Sequence, residues 1–285
     1  METAGHAGYH LGQGGNRGNS KRSWRGRGGT DRSTQARERP THFISVPLDH
    51  ISSFTTQISQ FTDSLLAVSP PIAGLDSSIV VSPSRLHLTL GVMNLTVGEN
   101  ESSRPQTNSS QGETDTKTYR KTVADALSLL HSLKPYVEST LQGQPLQLCL
   151  DELDVMQRSP SGEADVMYFG PASTSPKATA HLRSVSVLAT INKRFIEEGF
   201  ITETRPLKLH CTVINTSYRK SAQRNSRQRT PFSMTQIEES ISQNPHALGT
   251  LLSPEELLDV RELNICRMGS RDKFGRYVRV GGIEW

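Results

Sequence analysis

Two hydrophobic periods alternate along this chain, and their order restricts the fold more than any other feature. Phe54, Ile58, Phe61 and Leu65 recur every three to four residues, as on one face of a helix. Leu86, Leu88 and Leu90 recur every second residue, as on one face of a strand. Read in this way, HFISVPL is a strand and residues 51–67 are a helix, stopped by Pro70 and Pro71. SIVV and RLHLTLGVMNL are strand, and residues 118–133 are a helix marked by Val123, Leu127 and Leu130. PLQLCLDELDVM alternates Leu146, Leu148 and Leu150 as a half-buried strand, its DELD run at 151–154 reads as a solvated turn, and DVMYFGP is another short strand. Residues 177–198 make the longest helix, with Leu182, Val185, Leu188, Ile191 and Phe195 on one face and Gly199 as its stop. LKLHCTVINT is a strand, Ser253 caps a short helix begun by Pro254, and LNICRMGSRDKFGRYVRVGGIEW is a hairpin turned at Asp272–Gly275. Strands that pair under covering helices make this an α+β chain, and each half places a helix before a strand containing His-x-Thr.

Composition locates the folded part. Hydrophobic residues are 34% of the 285, and the shortage sits at one end. Residues 1–40 hold 9 of the 22 glycines and carry eight basic and three acidic residues, net +5. The remaining 245 carry 24 basic and 25 acidic residues, so the body is almost neutral. Residues 1–40 are expected to be disordered, with Trp24, Arg25 and Arg27 serving either weak RNA binding or solubility. A polar stretch at 98–117 and a basic one at 217–230 read as loops inserted in one body, 41–285. No apolar run is long enough for a transmembrane helix, and METAGHAGYHLGQ lacks a signal-peptide core. The expected location is therefore nucleus or cytoplasm, without secretion or a membrane. Cys149, Cys211 and Cys266 are an odd, widely spaced set, which suits a reducing compartment and not a zinc or disulfide framework. The sequons at Asn94, Asn100, Asn108 and Asn215 are then chance occurrences.

The chemistry concentrates in Leu86-His87-Leu88-Thr89-Leu90 and Leu209-His210-Cys211-Thr212-Val213. Side chains two apart share a strand face, so His87 lies beside Thr89 and His210 beside Thr212, with Lys208 on that same second face. Apolar neighbours pin both strands to a core. The bland alternative is a pair of polar strand faces turned to solvent.

The pieces THFISVPL, SRLHLTLGVMNL, PLQLCLDELDVM, DVMYFGP, the long helix before Gly199-Phe200, KLHCTVINTSYRK and CRMGSRDKFGRYVRVGGIEW resemble the two-histidine phosphoesterase superfamily, which includes the 2′,5′ RNA ligase-like proteins. The nearest likeness is to the A-kinase-anchor-protein-type domain, as found in the first subunit of the activating signal cointegrator 1 complex. The resemblance implies duplicated, two-lobed antiparallel sheets with helices outside and a central cleft between the histidines. It implies a phosphodiesterase for RNA ends or for cyclic or 2′,5′-linked phosphates. His87 and His210 would exchange protons while Thr89 and Thr212 hold phosphate oxygens, with no cofactor and no metal. It also raises the alternative of a nucleotide- or RNA-binding subunit in a transcription or repair assembly. Only the Gly/Arg stretch precedes the body, with no GxxG loop between helices, so KH-type nucleic-acid binding is not expected. Lys208 is either a substrate cation or an exposed strand lysine, Phe43 either stacks on a base or packs in the core, and Arg219 either guides a polyanion or lies on a solvated loop. Two coupled imidazoles of ordinary pKa predict a bell-shaped rate profile centred on neutral pH in a monomeric domain.

Overall fold

In the computed structural model the chain order is β1 (His42–Pro47), α1 (Ser52–Leu66), β2 (His87–Met93), α2 (Val123–Leu141), β3 (Leu146–Leu148), β4 (Glu152–Val155), β5 (Glu163–Ala164), β6 (Val166–Gly170), α3 (Thr179–Glu197), β7 (Cys211–Asn215), β8 (Phe232–Ser233), α4 (Met234–Gln243), β9 (Leu258–Val260), β10 (Glu262–Arg271) and β11 (Tyr277–Glu284). The structure describes residues 39–96, 121–173, 178–219, 230–248, 251, 253 and 255–285. The tail up to residue 38, the 98–117 insertion and positions 220–229 of the basic loop lie outside the described residues. No helix among the described residues is long and apolar enough to cross a membrane.

Seven strands form one antiparallel sheet in the order β11-β10-β1-β2-β7-β6-β4. Its halves meet at the two His-x-Thr strands, where β2 and β7 share one ladder position, Leu88 opposite Cys211. The lobes are therefore β11-β10-β1-β2 and β7-β6-β4. Strand alternation sends Ile44, Val46, Leu88, Leu90, Cys211 and Val213 to one face. There they join Phe54, Ile58, Phe61 and Leu65 of α1, Leu130 and Val137 of α2, and Leu188, Ile191 and Phe195 of α3 in a single core. The opposite face carries His87 and Thr89. Gly281 lets α2 lie close on β11, since a Cβ there would sit 2.6 Å from Leu127 Cδ2.

Several sequence expectations are revised, each for a packing reason. SIVV is not a strand: Ser77–Ile79 is a 3-10 turn whose Ser78 N–H donates to Asp76 at 2.8 Å, and only Val80 bridges to Ile214. α2 runs on through Pro135 to Leu141, because Val137 and Leu141 continue the stripe of Ala126, Leu130 and Leu133. Burying two such side chains at about 1.5–3 kcal/mol each offsets the roughly 3 kcal/mol a helix-interior proline costs. Leu182 is 56% exposed. The inner face of α3 instead presents His181 and Ser184, which accept from the backbone N–H groups of Cys149 (3.0 Å) and Gln147 (2.8 Å) that would otherwise be buried unpaired. The expected helix after Ser253 is absent among the described residues. Leu258 and Val260 instead pair with Leu148 and Leu146 in a two-stranded sheet of β3 and β9.

The helix of that region is α4. Its signal, Ser233 three residues before Gln236, is a capping pattern, and Ser233 Oγ accepts from the Gln236 N–H at 3.3 Å. Ser233→Ala is expected to lower stability by about 1 kcal/mol, read from the midpoint of urea unfolding at unchanged slope.

Candidate active site

The Leu88–Cys211 pairing fixes the site. Extending the antiparallel register outward from that pair sets His87 opposite Thr212 and Thr89 opposite His210, which is the residue just before β7 and not mid-strand as the sequence pattern suggested. Leu88 and Cys211 point into the core, and so the four flanking side chains share the other face, where all are half-buried. Cross-strand neighbours have Cβ atoms about 4.5–5.5 Å apart, close enough for one small anion to meet all four.

Both imidazoles are held alike. His87 Nδ1 lies 2.7 Å from the carbonyl oxygen of Arg85, and His210 Nδ1 lies 2.7 Å from that of Lys208. A carbonyl only accepts, so each Nδ1 carries the proton and each neutral ring keeps its lone pair on Nε2. Thr89 Oγ1, 3.2 Å from His87 Nε2, can donate to that lone pair. Aromatic rings fix the imidazole planes. Phe43 and Tyr277 each lie 5.1 Å from the His87 ring, and Tyr168 stands edge-on 5.5 Å from the His210 ring.

Burial is the main cause that pushes the His87 imidazole down, to about 4, with the His210 and Arg85 charges adding to it and the Arg85 carbonyl opposing it. His210 is also lowered, by burial first and then by the Lys208 ammonium, while the Lys208 carbonyl opposes. Between the two motifs the buried Cys211 thiol is pushed up to about 12, which leaves it inert as a nucleophile. The site thus offers two proton-accepting nitrogens and two hydroxyls. Among the described residues, no group of three or more His, Cys, Asp or Glu could hold a metal ion.

The remaining residues singled out in the sequence sort differently. Lys208 lies beside the site: its Nζ is 3.4 Å from Asp154 Oδ2 and 4.6 Å above the Tyr168 ring. Phe43 is 1% exposed and wedged between His87 and Tyr277, so it supports the imidazole and has no face free for a base. Arg219 donates to the Asp76 carboxylate and to the Gly74 carbonyl (2.6 Å), tying the chain before β2 to the end of β7 instead of entering the cleft.

DELD is no solvated turn. Glu152–Val155 is β4, Asp151 is buried and accepts from the Ala172 N–H at 2.8 Å, and Asp154 accepts from the Tyr168 hydroxyl. The Glu-Leu-Asp-Val alternation is the sequence signal for that strand. Arg85 is a site residue that the motif reading misses, and its signal is its place two residues before His87, as Lys208 stands before His210. A cavity of about 410 Å³ opens beside His87, lined in part by Ser45, Arg85, Arg276 and Tyr277.

Comparison with known proteins bears on the same stretch. The family model described as AKAP7 2'5' RNA ligase-like domain matches residues 40–111 and 116–284. Among solved structures the chain is similar to E. coli LigT complexed with NADP+, at 14% identity over 87% of this chain and 98% of that one, TM-score 0.41. It is similar to E. coli LigT complexed with 3'-AMP, at 15% identity over 87% and 98%, TM-score 0.38. It is also similar to TT0787 of Thermus thermophilus, at 16% identity over 86% and 97%, TM-score 0.40. The family match spans both lobes and both His-x-Thr motifs, and by it the chain belongs to the AKAP7 2'5' RNA ligase-like family.

Proposed function

We propose that this protein is a metal-independent phosphodiesterase acting on RNA ends or on cyclic or 2′,5′-linked phosphates, with His87 as general base and His210 as general acid. The observation that carries the reading is the crosswise His–Thr quartet around the Leu88–Cys211 pair, in which both imidazoles are fixed in the same tautomer. A phosphate over that pair would meet an Nε2 on each side. His87 is the more strongly depressed of the two, hence neutral and able to take the proton of an attacking water or hydroxyl. His210 keeps the shared proton to higher pH and delivers it to the departing oxygen. The Thr89 and Thr212 hydroxyls donate to the non-bridging oxygens as charge builds there. The quartet itself contains no carboxylate, the usual ligand for a hard cation at a phosphate site.

The test is incubation with a panel of oligonucleotides ending in a 2′,3′-cyclic phosphate or containing a 2′,5′ linkage, with and without EDTA. The expected result is turnover to a phosphomonoester or a free hydroxyl end, unchanged by EDTA. Binding without turnover would replace the enzyme by an RNA-binding module. Activity abolished by EDTA and restored by a divalent ion would overturn the mechanism.

A further inference from the structure

The two halves of the site repeat one pattern and then break it at a single charge. Arg85-x-His87-x-Thr89 and Lys208-x-His210-x-Thr212 each place a cation two residues before the histidine, and each cation's own carbonyl holds the histidine Nδ1–H. Each cation also lies over a tyrosine ring, Arg85 Cζ 5.0 Å from the centre of Tyr218 and Lys208 Nζ 4.6 Å from that of Tyr168. The difference is neutralisation. The Lys208 side chain is 57% exposed and has Asp154 within 3.4 Å. Arg85 is 8% exposed, and its Nη1 is buried without a hydrogen-bond partner among the described residues.

Burying a guanidinium without an anion opposes folding, because the lost hydration is not returned. The other charges on the cavity beside His87 do not answer it. Arg276 pairs with Asp49 at 2.9 Å and Arg279 with Glu262 at 2.9 Å. Asp272 accepts the backbone N–H groups of Phe274 and Arg276. Among the described residues that line this cavity, Arg85 is the cation no carboxylate meets. The cavity includes His87 but none of Thr89, His210 and Thr212, so it extends from the quartet toward the β10–β11 hairpin.

We infer that Arg85 is the receptor for a second phosphate, a terminal monoester on a nucleotide or oligonucleotide whose cleaved ester sits at the quartet. This rests on the quartet being the seat of the first phosphate. The charge asymmetry then sets the direction of binding: the additional anion lies on the His87 side, and the neutralised Lys208 side faces the uncharged end. A guanidinium is suited to this task, since its planar fork holds two phosphate oxygens at once.

The experiment is equilibrium binding by calorimetry, which needs no turnover and so separates this inference from the catalytic reading. The probes are adenosine 5′-monophosphate and adenosine 3′,5′-bisphosphate. The full chain is expected to bind the bisphosphate about 10–100-fold more tightly, the usual effect of charge-assisted hydrogen bonds. Arg85→Gln is expected to remove that ratio while leaving monophosphate affinity within a few-fold; Arg85→Lys is expected to retain part of it, and Lys208→Gln to leave it unchanged. Equal affinity of the full chain for both probes would overturn the inference even if Arg85→Gln does not fold. So would a ratio that survives Arg85→Gln or disappears in Lys208→Gln.

Discussion

His87→Ala and His210→Ala are each expected to lower kcat/KM for a cyclic-phosphate substrate by about 10²–10⁴, the usual contribution of a positioned acid or base. The double variant is expected to be no slower than the poorer single one, because a base without its acid cannot complete the transfer. The pH profile is the sharper readout. The active free enzyme needs His87 neutral and His210 protonated. Its kcat/KM falls on the acid side as His87 gains a proton near its lowered value of about 4, and on the basic side as His210 loses one below its ordinary 6.5. The optimum is thus expected in the acid range between those values, not at neutrality as two unperturbed imidazoles would have it. His210→Ala should remove the basic limb and His87→Ala the acid limb. A bell centred above pH 7, or two single variants that retain both limbs, would remove the proton assignment.

Leu88→Ala is expected to destabilise the fold by about 2–5 kcal/mol, the range for deleting a fully buried leucine side chain. Leu88 has no exposed surface and pairs with Cys211 where β2 meets β7. The loss should appear as a lower urea midpoint with an unchanged slope. The expected consequence for catalysis is separate: the cavity loosens the strand between His87 and Thr89, so kcat should fall even at temperatures where the variant is fully folded. An unchanged kcat at such temperatures would show that the quartet keeps its geometry without this side chain.

Much of this molecule is legible residue by residue, because the responsible forces are local. Helical spacing in Phe54, Ile58, Phe61 and Leu65 and strand alternation in Leu86, Leu88 and Leu90 each express burial on one face of a single element, and the structure buries both sets. The pairing of a histidine with a threonine on one strand face is likewise local geometry. Departures from the sequence reading arise where a distant partner decides the outcome. The end of α2 depends on a core stripe that outlasts Pro135, and residues 258–260 are a strand because β3 needs an edge partner. Leu182 yields the inner face of α3 to His181 and Ser184 because backbone groups of another segment require acceptors.

The sequence by itself determined the α+β order, the strands that carry His87, Thr89 and Thr212, with His210 just ahead of the second strand and not inside it, and the near-neutral charge of the body. The tertiary structure alone decided that Leu88 meets Cys211, which turns two separate motifs into one crosswise quartet. It also drew Asp154 to Lys208 and, among the described residues, left Arg85 without a carboxylate, and it withdrew Phe43 and Arg219 from the cleft. The physical reason is that register, burial and charge pairing are properties of segments far apart in the chain, and no period within one segment encodes which distant group will stand opposite.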